Sequence, residues 1–160
     1  MNYKMLALEK IEKTQEISQE ISQEISQEIS KPKSVAIVGT GESWKSHVKS
    51  ENTRAFFKDI DEIWNIDDDH IEHHKFFNLG SKETSKEKEI SQENYPLQEV
   101  ISYVGHSYLN SNLAYAIAYG TFLKVKKMSF YGIDDLSSGE RACAEFNMAI
   151  AMNFGITIAI

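Results

Sequence analysis

A glycine-rich segment follows an apolar run early in the chain. Gly39, Thr40 and Gly41, then Glu42 and Ser43, come directly after the letters VAIV. Glycines let a backbone approach a ligand closely, and the N-terminus of a following helix attracts anions. We therefore predict a site for phosphate or carboxylate, with a plain strand-to-helix turn as the alternative. The segment matches neither a full GxGxxG fingerprint nor a Walker A loop.

Two further polar groups also follow apolar runs. The run at 61–66 contains Asn65 near its end and is followed by Asp67. The run at 128–131 is followed by Gly132 and Asp134. Asn65 is a candidate for hydrogen bonding to a base or ribose. Asp134 could accept hydrogen bonds from ribose hydroxyls or bind a magnesium ion, with a surface turn as the alternative.

The aspartates and histidines at 67–74 resemble a metal cluster in composition only. Consecutive aspartates rarely converge on one ion, and the spacing matches neither HExxH nor an EF-hand, so we assign no metal ligands. Ser111, with His106 nearby, supplies polar groups at the start of another predicted helix. Without a GxSxG elbow, a Ser-His-Asp triad has no support, and we assign no catalytic residue.

These segments need a scaffold, and the hydrophobic pattern predicts a parallel one. Strands are expected at 35–38, 61–66, 75–79, 128–131 and 156–160, and helices near Ser43–Trp44 and at 97–104, 111–123 and 140–154. Strands alternating with helices indicate an α/β, Rossmann-like, three-layer parallel sheet of about five strands. Ligands in such sheets bind at the carboxyl ends of the strands, where all three polar groups fall.

Two finer expectations concern burial. The polar stretch at 80–94 is predicted to be an exposed, mobile loop. For the last helix, the pattern predicts that the apolar residues below face inward. They are Ala142, Phe146, Ala149, Ile150 and Met152.

Length and charge exclude several classes of protein. The 160 residues suit one domain, predicted at 32–160, and the single cysteine, Cys143, excludes an intramolecular disulfide framework. The net charge is −7, and the only basic clusters are 31–33 and 124–127, so nucleic-acid binding is disfavoured. The chain shows neither a signal peptide nor a membrane-length apolar run, which predicts a cytoplasmic protein.

Residues 1–31 contain a repeat of the letters QEIS. It places isoleucine at positions 17, 21, 25 and 29, which gives a drifting apolar stripe on a helix. We predict a low-complexity helical arm, either a frayed, solvated segment or a helix for partner binding or self-association. Membrane binding is disfavoured because the polar face is acidic.

Three segments carry a resemblance to known families. They are the strand and loop at 35–44, the strand end at 63–65 and the helix and strand at 111–134, which ends in YGID. Together they resemble the nucleotide-binding core of bacterial sialyltransferases and 6-hydroxymethylpterin diphosphokinase-like domains. The chain looks most like small phage-encoded Rossmann-like proteins with a YPLxEV segment, here 95–100, which would imply the host cytoplasm. The resemblance implies nucleotide contacts for Gly39, Gly41, Ser43, Asn65 and Asp134, although Glu42 replaces the usual loop proline.

The sequence therefore predicts a nucleotide-binding domain. It would be either a minimal transferase acting on a nucleotide-activated substrate or a non-catalytic protein. The non-catalytic protein would sequester a nucleotide or act as an assembly factor through its N-terminal helix. The residues expected to bind the nucleotide are Gly39, Thr40, Gly41, Ser43, Asn65, Asp67, Ser111, Gly132 and Asp134.

Overall fold

The computed structural model describes residues 13, 31–41, 57–67, 75–79, 89–134 and 136–160. The chain divides into two units, Met1–Lys31 and Pro32–Ile160. The predicted helical arm lies outside the described residues except for Lys13 and Lys31. The helix predicted to begin at Ser43–Trp44 also lies outside them.

The second unit is built on a parallel sheet of six strands. The strands are β1 (Ser34–Val38), β2 (Glu62–Asn65), β3 (Lys75–Phe77), β4 (Glu89–Ile90), β5 (Lys127–Tyr131) and β6 (Thr157–Ala159). They lie in the order β4-β3-β2-β1-β5-β6, and each pair of neighbours is parallel. This arrangement confirms the predicted α/β, Rossmann-like fold.

The central strand β1 is buried on both faces. Val35 and Ile37 belong to the larger hydrophobic core, whereas Ala36 and Val38 pack with Phe57 on the opposite face. An uninterrupted apolar run is typical of a parallel strand covered on both sides, because neither face meets water. The strand predicted at 35–38 is therefore confirmed, and its apolar run agrees with burial on both faces.

Three helices contribute to the core on the Val35 side of the sheet. They are α1 (Leu97–Val104), α2 (Asn112–Phe122) and α3 (Ser138–Asn153). Gly105 and Gly155 follow α1 and α3 with positive φ angles of 81° and 82°, the left-handed conformation that commonly ends helices. The alanines of α2 are buried. Their small side chains let α2 lie close to the sheet and to α3.

The predicted inward face of α3 is wrong. Phe146 and Met152 are 42% and 60% exposed, and Ala142 and Ala149 are exposed too. Of the five, only Ile150 packs against the core, and it is only partly buried. The buried face instead consists of Cys143, Ala144, Asn147, Met148 and Ala151.

A polar interaction explains why α3 buries this face rather than the predicted one. The Asn147 side-chain amide donates to the carbonyl of Tyr108 at 3.0 Å and to that of Cys143 at 2.9 Å. Asn147 is only 2% exposed. Because a buried side-chain amide needs acceptors, Asn147 faces the loop that precedes α2, and the larger apolar side chains then lie on the outer face of the helix.

The expectation of an exposed segment over 80–94 is wrong for residues 89–91, whereas residues 92–94 are exposed as predicted. Glu89 and Ile90 form β4, and Glu89 and Ser91 are 1% and 0% exposed. Asn94 satisfies the backbone there: its Oδ1 accepts from the Ser91 N–H at 2.9 Å and its Nδ2 donates to the Glu89 carbonyl at 2.8 Å. Polar side chains therefore satisfy the backbone of a short buried strand, and the turn at 92–94 that follows it is exposed. Residues 80–88 lie outside the described part of the chain.

Candidate ligand site at the switch point of the sheet

The strand order reverses beside β1. Strands β2, β3 and β4 succeed one another on one side of β1, whereas β5 and β6 lie on the other. The connections that leave β1 and β5 therefore diverge, which opens a crevice at the carboxyl ends of these two strands. Ligands of open parallel sheets bind in such crevices.

The glycine loop after β1 is hydrogen-bonded within the protein. The N–H of Gly39 donates to the carbonyl of Tyr131, and the N–H of Gly41 donates to the carbonyl of Gly132, both at 2.9 Å. The N–H of Thr40 donates to Oδ2 of Asp67, also at 2.9 Å. All three loop amides are thus occupied, so an anion at this crevice needs donors from another segment.

The two loop glycines are required by close contacts. A Cβ on Gly39 would lie 2.5 Å from the Gly132 carbonyl oxygen and 2.9 Å from Asp67 Oδ2. A Cβ on Gly41 would lie 2.7 Å from the same carbonyl oxygen and 2.9 Å from the Asp134 carboxylate. The loop after β1 therefore packs directly on the loop after β5, where Gly132 has a φ of 62°.

Asn65 holds Asp67 in position. Asn65 is 3% exposed, and its Oδ1 accepts from the Asp67 N–H at 3.1 Å. This local turn directs Asp67 toward the glycine loop, where its Oδ2 accepts from Thr40. In the described part of the chain, Oδ1 of Asp67 has no hydrogen-bond partner. Asn65 thus acts through Asp67.

Asn112, the first residue of α2, ties three elements together. Its Nδ2 donates to the Ile66 carbonyl, and its Oδ1 accepts from the Leu79 N–H, both at 3.0 Å. The carboxyl ends of β2 and β3 are thereby fixed to the N-terminus of α2. The sequence marked this segment only as a polar helix start.

A cavity of about 210 Å³ lies between these elements. Its wall combines the loops after β1, β2 and β5 with the first turns of α2 and α3. The lining residues are Thr40, Gly41, Ile66, Asp67, Ser111, Asn112, Leu113, Gly132, Ile133, Leu136 and Glu140. Of the residues predicted for the site, five line this cavity: Thr40, Gly41, Asp67, Ser111 and Gly132.

The remaining predicted residues occupy other places. Gly39 and Asn65 do not line this cavity. Asp134 lines a second cavity, which shares Gly132, Ile133 and Leu136 with the first. Ser43 lies outside the described residues.

The N-terminus of α2 supplies backbone donors to the cavity. Ser111 is the N-cap, and its hydroxyl accepts from the Ala114 N–H at 3.3 Å. Among the described residues, the N–H groups of Asn112 and Leu113 have no hydrogen-bond acceptor. Such first-turn amides carry the positive end of the helix dipole. These amides are therefore suited to an anionic group.

Two carboxylates supply negative charge to the lining of the same cavity. Asp67 lies at the glycine loop, and Glu140 belongs to the capping box of α3, where its Oε2 accepts from the Ser137 hydroxyl at 2.6 Å and from the Ser137 N–H at 3.1 Å. These hydrogen bonds lower the pKa of Glu140, because they stabilise its ionised form. The cavity lining thus combines backbone donors suited to an anionic group with carboxylate acceptors suited to hydroxyl groups.

Sequence reasoning missed Glu140 as a residue of the site. The signal was present, since Ser137 and Glu140 have the SxxE spacing of a capping box. Among the described residues, no group of three or more His, Cys, Asp or Glu side chains could hold a metal ion. No helix in the described ranges is long and apolar enough to cross a membrane.

The fold and the crevice define an α/β protein of the Rossmann-like class. Comparisons of the chain with protein-family models, curated proteins and solved structures found no match.

Proposed function

We propose that this protein binds a nucleotide, with a phosphate at the N-terminus of α2 and sugar hydroxyls at Asp67. The observation that carries this proposal is the cavity at the β1–β5 switch point. Its lining includes the unpaired Asn112 and Leu113 amides and the carboxylates of Asp67 and Glu140. A ligand with both an anionic group and hydroxyl groups complements both kinds of lining group, whereas an anion alone complements only the amides. A sugar phosphate, the central part of every nucleotide, has both.

The geometry favours binding without catalysis over a transferase. Glu140 is engaged with Ser137, and Asp67, whose Oδ2 accepts from Thr40, has its Oδ1 left for a sugar hydroxyl. His106 lines neither cavity; its Nδ1 accepts from the Tyr108 N–H at 3.2 Å, and its ring lies 4.8 Å from that of Phe146. Burial lowers the pKa of His106, which favours the neutral ring. A general base needs a position within hydrogen-bond reach of the reacting proton, and His106 lies at neither cavity.

A thermal-shift screen with nucleotides, nucleotide sugars and pterins tests the proposal. A ligand present at about 100 times its dissociation constant adds about 2.7 kcal/mol to the free energy of unfolding. We expect such a rise for phosphate-containing nucleosides. If none of these compounds raises the melting temperature, nucleotide binding is refuted.

A pair of variants at the α2 N-cap tests the position of the phosphate. Ser111→Asp and Ser111→Asn both retain a good N-cap residue, but only the aspartate places a negative charge beside the free amides. We expect Ser111→Asp to weaken binding of the nucleotide by about tenfold or more, which corresponds to about 1.4 kcal/mol. Ser111→Asn should bind nearly as the wild type does. Equal binding by both variants would move the phosphate away from α2.

Incubation of the protein with a bound nucleotide or nucleotide sugar, followed by chromatography, separates the two roles. Unchanged ligand supports a binding protein. Turnover of the ligand at a rate proportional to protein concentration would support the transferase instead.

A further inference from the structure

The second cavity lies beside the first, between α3 and the carboxyl ends of β5 and β6. Its volume is about 530 Å³, and Gly132, Ile133 and Leu136 form the wall that it shares with the first cavity. Pockets for small molecules usually measure about 300–1,000 Å³ and are mainly apolar. The first cavity is smaller than this range, whereas the second falls within it. A ligand that enters the first cavity with its phosphate can therefore extend over the shared wall.

The floor of the second cavity is apolar and includes an aromatic ring. Phe130 and Met148 are 4% and 7% exposed, and Ala144 is 2% exposed. Aromatic rings and thioethers pack well against flat heteroaromatic groups. A planar base would bury one face on this floor and leave its polar edges at the rim.

The rim of the second cavity carries one cationic and one anionic side chain from the same helix. Arg141 and Glu145 both line the cavity and lie four residues apart on α3, so their Cβ atoms are about 5–6 Å apart. Within the described part of the chain, no ion pair joins them or links either to another side chain. Both groups are thus available to a ligand at the same edge of the cavity.

We propose that the second cavity binds the base of the nucleotide and that this base is guanine. Guanine presents two N–H donors on one edge and two acceptors, O6 and N7, on the next. An arginine donates to O6 and N7 in a bidentate manner, and a carboxylate accepts from the two donors. Adenine lacks the paired donors, and an acyl chain would leave both rim groups without a partner. This inference rests on the proposed nucleotide function.

Isothermal titration of the full chain with three probes tests the inference. The probes are guanosine 5′-monophosphate, adenosine 5′-monophosphate and ribose 5-phosphate. We expect the guanine nucleotide to bind about tenfold more tightly than the adenine nucleotide, and both to bind more tightly than ribose 5-phosphate. If ribose 5-phosphate binds as tightly as the guanine nucleotide, the second cavity holds no base. If the two nucleotides bind equally, the assignment of guanine is overturned.

Two variants with matched controls locate the contact. Glu145→Gln and Arg141→Met should each weaken binding of the guanine nucleotide by about tenfold and leave binding of ribose 5-phosphate unchanged. Glu99→Gln and Lys126→Met alter exposed charges that line neither cavity and should have no effect. Unchanged guanine binding in both rim variants overturns the inference, even where ribose 5-phosphate still binds. If all three probes fail to bind the wild type, the nucleotide function itself is refuted.

Discussion

The contact between the two loops predicts a large effect of Gly39→Ala. The new Cβ would lie 2.5 Å from the Gly132 carbonyl oxygen, and Cβ atoms are essentially never found closer than 3.0 Å. The loops must therefore separate by at least the difference, 0.5 Å. Neither neighbour yields easily, since one is backbone and the other is the Asp67 carboxylate that holds Thr40. Overpacking of this kind costs about 1–3 kcal/mol.

Urea denaturation followed by far-ultraviolet circular dichroism measures this cost. Gly139→Ala is the matched control, because a Cβ at Gly139 meets nothing within 4 Å and alanine favours the helical backbone of α3. We expect Gly39→Ala to lower the free energy of unfolding by about 1–3 kcal/mol and Gly139→Ala to raise it by about 0.4–1 kcal/mol. If Gly39→Ala unfolds at the same urea concentration as the wild type, the loops do not pack as described.

Three further predictions concern the elements around the site. Asn112→Ala should lower the free energy of unfolding by about 1–3 kcal/mol in the same urea assay, since two partly buried backbone groups lose their partners; a loss under 0.5 kcal/mol would contradict it. Ser137→Ala should cost about 1 kcal/mol at neutral pH. Because Ser137 lowers the pKa of Glu140, the difference between wild type and variant should shrink as the pH falls through that pKa; a constant difference would refute the coupling. Burial raises the pKa of Tyr95, so stability should fall as the pH rises past about 10, the ordinary tyrosine value. Tyr95→Phe should flatten that alkaline slope in thermal melts, and an unchanged slope would refute the assignment.

The parts of the fold with an unambiguous hydrophobic pattern could be predicted from the sequence, whereas the buried face of α3 could not. The apolar run at 35–38 and the helical pattern at 111–123 were each predicted as the element that the structure contains, β1 and α2. Helix α3 is apolar on two faces, one with Phe146 and Met152 and the other with Cys143 and Met148. Hydrophobicity alone favoured the face with the larger side chains. The buried hydrogen bond from Asn147 to Tyr108 decided otherwise, and it depends on a loop remote in sequence.

Strand β4 shows a second limit. It has two residues, and polar side chains surround it in the sequence. Its burial depends on Asn94, which satisfies the backbone of the turn, and on Asn78, whose amide donates to the Glu89 carboxylate at 2.7 Å. Composition records polarity but not which polar groups satisfy one another. A short buried strand of this kind therefore has the same composition as a solvated loop.

For the candidate site, the sequence located the crevice better than its donors. Positions after β1, β2 and β5 had to meet at one edge of a parallel sheet, so Thr40, Asp67 and Gly132 were accessible to prediction. Which amides remain available depends on the alignment of β1 with β5, where Val38 lies opposite Tyr131. That alignment places the Gly39 N–H on the Tyr131 carbonyl, a long-range detail that no local pattern contains.

The occupied loop amides change the role expected of the glycine segment. A phosphate cradle needs backbone N–H groups directed at the ligand, whereas those of Gly39, Thr40 and Gly41 are directed at Tyr131, Asp67 and Gly132. The glycines therefore serve close packing, which brings the Asp67 carboxylate to the edge of the cavity. The amides of Asn112 and Leu113 line the cavity and have no acceptor among the described residues, so the proposed phosphate is expected at the N-terminus of α2. A negative charge introduced at Ser111 would stand beside these amides and should therefore weaken binding of the proposed nucleotide.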